Sequence, residues 1–217
     1  MAEDQTATDP PEPAPRRRGR GADPEETKAQ LVTAAIESLV EDGYRGTTAR
    51  AIGQRANCNQ AAIYYHFGGI DALLIAALHK SSAERLARYE AAMPEASTLP
   101  ELVALIEELY FEDSKSGHLS VLAELTGGIA AAPELRAGID SATRPWLDFV
   151  EGQIVEIAKT VSFGAMLPAR DLADLVFSIV IGVELRNRID ESPDRAERLF
   201  RLAGLASALV ESGTAKA

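Results

Sequence analysis

The chain has 217 residues, 46% of them hydrophobic, which is enough to bury a sizeable core and too many for a disordered chain. A net charge of −11, if evenly spread, would oppose a polyanionic partner, and a single cysteine, Cys58, excludes an intramolecular disulfide. The N-terminus MAEDQTATDPPEPAPRRRGRG has no apolar signal-peptide stretch, and the most apolar run, LVFSIVIGV at 175–183, falls far short of the roughly 20 residues that span a bilayer. The expected location is the cytoplasm.

Residues 1–22 combine Pro10, Pro11, Pro13 and Pro15 with RRRGR, a composition that buries no core and predicts a disordered basic, proline-rich arm, which fits either a tail that aids solubility or one that contacts a polyanion. A first helix begins where Asp23 caps, Pro24 takes the first helical position and Glu26 stands to close a capping box. Leu31, Val32, Ala35, Ile36, Leu39 and Val40 give it an apolar face, and Gly43 ends it in a left-handed conformation.

The charge is not evenly spread. Residues 43–70 contain no Asp or Glu, yet hold Arg45, Arg50, Arg55 and His66, as a surface facing phosphate requires. Within this window Thr47 and Thr48 can cap a second helix over 49–56, with Ile52 and Ala56 inward. Asn57 tolerates a left-handed turn, and Asn59 can cap a third helix over 60–67. Two short helices joined by about three residues make a helix-turn-helix, whose second helix lies in the major groove. There Ile63 and Phe67, four apart, face the core; Gln60, Ala61 and Tyr65 point outward, flanked by Tyr64 and His66. Gln60 suits a bidentate pair with adenine and Ala61 a thymine methyl; Ala61 and Ala62 let the helix approach closely, and Tyr64 and His66 can donate to phosphates. The candidate DNA-binding set is Arg45, Thr47, Thr48, Arg50, Asn59, Gln60, Ala61, Ala62, Tyr64, Tyr65 and His66. On spacing alone, Tyr64, Tyr65 and His66 fit ordinary core or surface aromatics equally well.

The segment TTARAIGQRANCNQAAIYYHFGGIDALL, with AAIESLVEDGY before it, resembles the DNA-binding domain of the tetracycline-repressor (TetR) family, ungapped over residues 31–74. The resemblance implies a homodimeric, ligand-responsive transcriptional regulator, usually a repressor, of about nine helices. Two departures stand out: Asn57, Cys58 and Asn59 replace the family's Gly, small apolar residue and Ser, and Ile70 stands where a lysine usually grips a phosphate. Backbone N–H groups at the start of helix four, beside Gly68 and Gly69, offer a substitute.

Residues 71–217 read as helices only, over 71–92, 100–114, 118–131, 133–161 with a kink or break at Pro145, 169–190 and 193–211. The expected fold is therefore all-α, with an arm at 1–22, a helix-turn-helix domain at 23–70 and a helical effector-binding and dimerisation domain at 71–217. The last two helices carry apolar faces of Leu172, Leu175, Val176, Ile179 and Val183, and of Leu199, Leu202, Leu205, Ala206 and Leu209. They resemble the family's dimerisation helices, and a two-fold dimer on half-sites about one turn apart is how such domains gain affinity. Candidates for an effector site are Glu107, Tyr110, Phe111, His118, Leu122, Glu124, Leu125, Trp146, Phe149 and Val150, with Arg144 as a further polar group, for a largely apolar ligand. Gly127 and Gly128, inside a helical pattern, suggest a bend or a space. No nucleophile elbow, phosphate loop, metal-ligand spacing or cofactor motif is present, so neither an enzyme nor a bound cofactor or metal is expected. An all-helical ligand-binding or protein-interaction module without DNA binding is the alternative.

Overall fold

The computed structural model describes residues 23–93, 98–159, 166, 168–190, 192 and 194–214; the basic arm at 1–22 lies outside them. These residues form helices α1 (Pro24–Gly46), α2 (Ala49–Arg55), α3 (Ala61–Phe67), α4 (Ile70–Ala92), α5 (Leu99–Lys115), α6 (His118–Gly128), α7 (Leu135–Ala158), α8 (Ala169–Asp190) and α9 (Arg195–Thr214), with no strand among them.

Local chemistry sets most of the boundaries. Asp23 Oδ1 accepts from the Glu25 N–H at 3.1 Å with Pro24 behind it, but Glu26 takes Gln30 and closes no capping box. Gly43, at φ 68°, breaks α1 near its end. The box forms instead at α5, where Thr98 Oγ1 accepts from the Glu101 N–H and Glu101 Oε2 accepts from the Thr98 N–H, so that helix starts earlier than expected. Likewise α6 stops at Gly128, and α7 continues through Pro145, so of the kink or break expected there the break does not occur. Pro145 and Ser141, whose carbonyl the proline leaves without its helical donor, are both exposed, so water can serve that carbonyl, while Ile139, Ala142 and Trp146 are buried on the other face.

One apolar core joins the first four helices to α6 and α7. Leu31 and Leu39 of α1, Ile52, Ile63 and Leu73 meet Leu125 and Leu135 with no exposed surface, each full burial contributing about 1.5–3 kcal/mol. This core passes residue 70 without interruption. Two smaller clusters lie beyond it: Tyr89, Leu109 and Trp146 tie α4, α5 and α7 together, and Tyr110, Leu119, Val183 and Ala196 tie α5, α6, α8 and α9. Between α4 and α5, the fully buried Asp113 accepts from Arg85 Nε at 2.7 Å and from Arg88 Nη2, which satisfies both carboxylate oxygens.

Candidate DNA-binding surface and ligand cavity

The turn between α2 and α3 is built as its residue types require. Thr48 Oγ1 accepts from the Ala51 N–H at 3.1 Å, Asn57 takes a positive φ of 51°, and Asn59 Oδ1 accepts from the Ala61 N–H at 2.9 Å. Gly53 allows the two helices to close. A Cβ there would stand 3.1 Å from both the Cys58 carbonyl oxygen and the Gln60 nitrogen, all backbone neighbours. Local spacing gave no sign of this requirement.

On α3, Ile63 is fully buried and Phe67 packs against the core, while Tyr64 and Tyr65 are 58% and 82% exposed, which rules out core packing for either ring. Gln60 and Ala61 are exposed beside them; Ala62 is half-buried against the core, and the half-buried His66 ring meets Tyr65 edge-on at 4.9 Å. Arg45 and Arg50 are exposed, as are Thr48 and Asn59 despite their capping bonds. Thr47 departs from the expected set. It is buried, and its hydroxyl donates to the Gly43 carbonyl at 2.7 Å, so it holds the broken end of α1 instead of facing outward. Arg55 departs from the acid-free patch for a similar reason: it pairs with Glu41 at 2.8 Å and Asp42 at 3.2 Å, which pins α2 to α1 and offsets its charge. Ile70 is half-buried against the core, and the positions of Gly68 and Gly69 are open.

A cavity of about 260 Å³ opens between α4, α5, α6, α7, α8 and α9. Of the expected effector set, Tyr110, His118, Leu122, Trp146, Phe149 and Val150 line it, and Glu107, Phe111, Glu124 and Leu125 do not. Leu125 is fully buried in the core against α1. Glu124 faces the same way, its Oε2 accepting from the Tyr44 N–H at 2.7 Å just past the Gly43 break. The ring of Tyr44 lies against Gly128, where a Cβ would stand 2.8 Å from it. Gly128 is thus a contact point at the helix end. Phe111 packs against Tyr110 and Phe200, and Arg144 pairs with Asp140 on its own helix.

Several lining groups escaped the sequence reading because they sit on α4, which reads as a plain amphipathic helix. Ser82 accepts from Trp146 Nε1 at 2.8 Å and donates to the Ala142 carbonyl at 2.9 Å; Ser81 Oγ lies 2.8 Å from His118 Nδ1. The Arg85 guanidinium lies over the Trp146 ring at 4.7 Å, and Tyr89 meets that ring edge-on at 5.0 Å. Burial lowers the His118 pKa below the usual histidine value despite nearby Asp113, which favours the neutral ring. Burial, and then the Glu184 carboxylate, push the Tyr110 hydroxyl up to about 12, so it remains a donor. Its oxygen has no hydrogen-bond partner among the described residues.

The outer face of α8 and α9 is apolar and exposed: Leu175, Val176, Ile179, Leu199, Leu202, Leu205 and Leu209 all reach solvent, as does Ala206, and Leu172 is half-buried. Val183 does not belong to this face. It is buried against Tyr110, Leu119 and Ala196, because α8 turns that position towards α5 and α6. Val176 serves two surfaces, since it also borders the cavity.

Residues 31–77 match the model of the bacterial regulatory proteins, tetR family. The chain is 27% identical over 191 residues to the HTH-type transcriptional regulator CymR of Pseudomonas putida, covering 86% of this chain and 91% of that protein. It is 23% identical over 152 residues to the fatty acid metabolism regulator protein of Bacillus subtilis (strain 168), covering 70% and 78% respectively. The crystal structure of a TetR-family transcriptional regulator from Rhodococcus sp. superposes with a TM-score of 0.70 at 19% identity, covering 86% of this chain and 98% of that one. With a helix-turn-helix at its N-terminus and that fold around it, the chain carries at residues 31–77 the DNA-binding domain of the tetR family of bacterial regulatory proteins, and is similar to transcriptional regulators over most of its length.

Proposed function

We propose that the chain acts in the cytoplasm, as a binding protein and not an enzyme, holding a palindromic operator as a two-fold dimer and leaving it when a small, largely apolar molecule fills the cavity. The observation that carries the DNA half is the division of α3: Ile63 is buried, while Gln60, Ala61, Tyr64 and Tyr65 are exposed within a stretch, residues 43–70, that contains no Asp or Glu. Gln60 and Ala61 would read base edges. Arg45, Arg50, Tyr64 and the N–H groups at the start of α4 would hold phosphates, the last in place of the lysine that Ile70 lacks.

Release follows from the shared use of two helices. The middle and end of α4 line the cavity through Leu78, Ser81, Arg85 and Tyr89, whereas its first turns pack on α1 and α3. Helix α6 lines it through His118 and Leu122, and grips α1 through Glu124 and Leu125. A ligand that fits better when these helices move would change the spacing of the two recognition helices without touching either.

The test is selection of duplexes from a random pool, followed by anisotropy titration of the selected site. Gln60→Ala should weaken binding by about tenfold, in line with about 1–3 kcal/mol for a base-reading contact, and Tyr65→Ala should also weaken it, while light scattering still reports a dimer. Failure to prefer any duplex at low ionic strength would leave a ligand-binding module without DNA recognition.

A further inference from the structure

We propose that the molecule bound in the cavity is an amphipathic carboxylate, its hydrocarbon body against the apolar wall and its head on the Nη edge of Arg85; this rests on reading the cavity as the effector site. Among the described residues Arg85 is the one permanently charged side chain in the lining, and no Asp or Glu shares it. Its counter-charge is divided. Asp113, which does not line the cavity, accepts from Arg85 at Nε, 2.7 Å away, and its other oxygen accepts from Arg88 Nη2. Two guanidinium groups thus share one fully buried carboxylate, and Glu112, the other acid on Arg88, is exposed and also lies outside the lining. The wall therefore presents positive charge to the space.

The remaining edge of Arg85 is open. Among the described residues the enclosed side-chain atoms without a hydrogen-bond partner are Ser38 Oγ and the Tyr110 hydroxyl; Arg85 Nη1 and Nη2, which Asp113 does not hold, are not among them, although the residue as a whole is only 9% exposed. Asp113 at Nε and the Trp146 ring 4.7 Å from the guanidinium carbon fix its plane, which leaves Nη1 and Nη2 as a fork of the shape a carboxylate matches. An uncharged ligand that expelled water would strip these donors of hydration and return no acceptor. A cation would be repelled by the same guanidinium, which already occupies the Trp146 face. The other polar lining groups are neutral and largely engaged: Ser82 with Trp146 and Ala142, Ser81 and His118 with each other. Burial first, and then Arg85 and Arg88 against Asp113, favour the uncharged His118 ring, so it does not compete for the head. The space is about nine water volumes, the scale of a medium-length hydrocarbon tail.

Trp146 is the sole tryptophan, lines the cavity and carries the Arg85 guanidinium on its ring, so its fluorescence reports occupancy in the full-length protein. Titrations would use octanoate, 1-octanol and octylammonium, which share a tail and differ in the head. Octanoate should bind at least about tenfold more tightly than octanol, and octylammonium more weakly than either. Arg85→Gln should weaken octanoate by about tenfold and leave octanol unchanged, whereas Arg85→Lys, which keeps the charge without the fork, should retain part of the preference. If Arg85→Gln does not fold, the ranking of the three probes in the unaltered protein decides alone. The assignment is overturned if octanol or octylammonium binds as tightly as octanoate, or if a folded Arg85→Gln protein loses octanoate and octanol alike. Silence towards all three probes in the unaltered protein would remove the effector-site reading itself, and this assignment with it.

Discussion

The Tyr110 ring sits between Phe111 and Phe200, with centroids at 5.5 and 5.4 Å, and its hydroxyl is enclosed without a partner among the described residues. An unsatisfied buried hydroxyl costs about 1–3 kcal/mol, so Tyr110→Phe should stabilise the ligand-free protein by about 1 kcal/mol, read as a higher urea midpoint at unchanged slope. A lower midpoint would mean that the hydroxyl is satisfied after all. Gly53 carries the opposite expectation. A side chain there meets backbone atoms on the far side of the turn, and Gly53→Ala should destabilise by about 1–2 kcal/mol and weaken operator binding, seen by thermal melting and anisotropy together. What could be read from the sequence at this scale was what neighbours within four residues decide. The Thr48 and Asn59 caps, the left-handed Asn57 and the inward Ile63 all belong to that class. Thr47, Arg55 and Gly53 do not, because their partners are Gly43 across a helix break, the acids of α1 and the far side of a turn.

Among the helices, α6 has the most divided role. Its pocket side carries His118, Leu119 and Leu122; its other side carries Glu124, which accepts the Tyr44 N–H, and Gly128, which receives the Tyr44 ring. Glu124→Ala leaves that N–H without its carboxylate acceptor and loosens the joint between cavity and DNA-binding unit. The expected result is operator affinity reduced about fivefold, corresponding to roughly 1 kcal/mol for the lost bond, and a smaller ratio of operator affinities without and with a cavity ligand. Ligand affinity reported by Trp146 should be unchanged. An unaltered ratio would show that α4 alone transmits the signal. Each helix among the described residues was legible from apolar spacing and from proline and glycine positions, but the C-terminal end of α6 and both ends of α7 and α9 were not. Glu124 shows why the site was only partly legible: periodicity places it on a helix without saying which neighbour that helix turns it towards.

At the level of the whole molecule, the exposed row on α8 and α9 is too large and too apolar to be left in water. Leu202, Leu205 and Leu209 are each more than 60% exposed on one face. We expect this face to close against its two-fold copy. Changing Leu205 and Leu209 together to Glu should yield a folded monomer by light scattering, with operator binding lost because a single recognition helix contacts too few base pairs. A doubly substituted protein that stays dimeric would place the interface elsewhere. This face was legible almost residue by residue, since an amphipathic stripe is a property of one helix; Val183 was the exception, because α8 presents that position to α5 and α6.

The ion pairs that fasten Arg55 to Glu41 and Asp42 carry a consequence for how the protein finds its site. A guanidinium already paired within the fold releases few counterions from a duplex, so Arg55 would add little to the non-specific attraction that the exposed Arg45 and Arg50 supply. Arbitrary sequence would be held that much less firmly, with more of the discrimination falling on the fit of α3 to the bases.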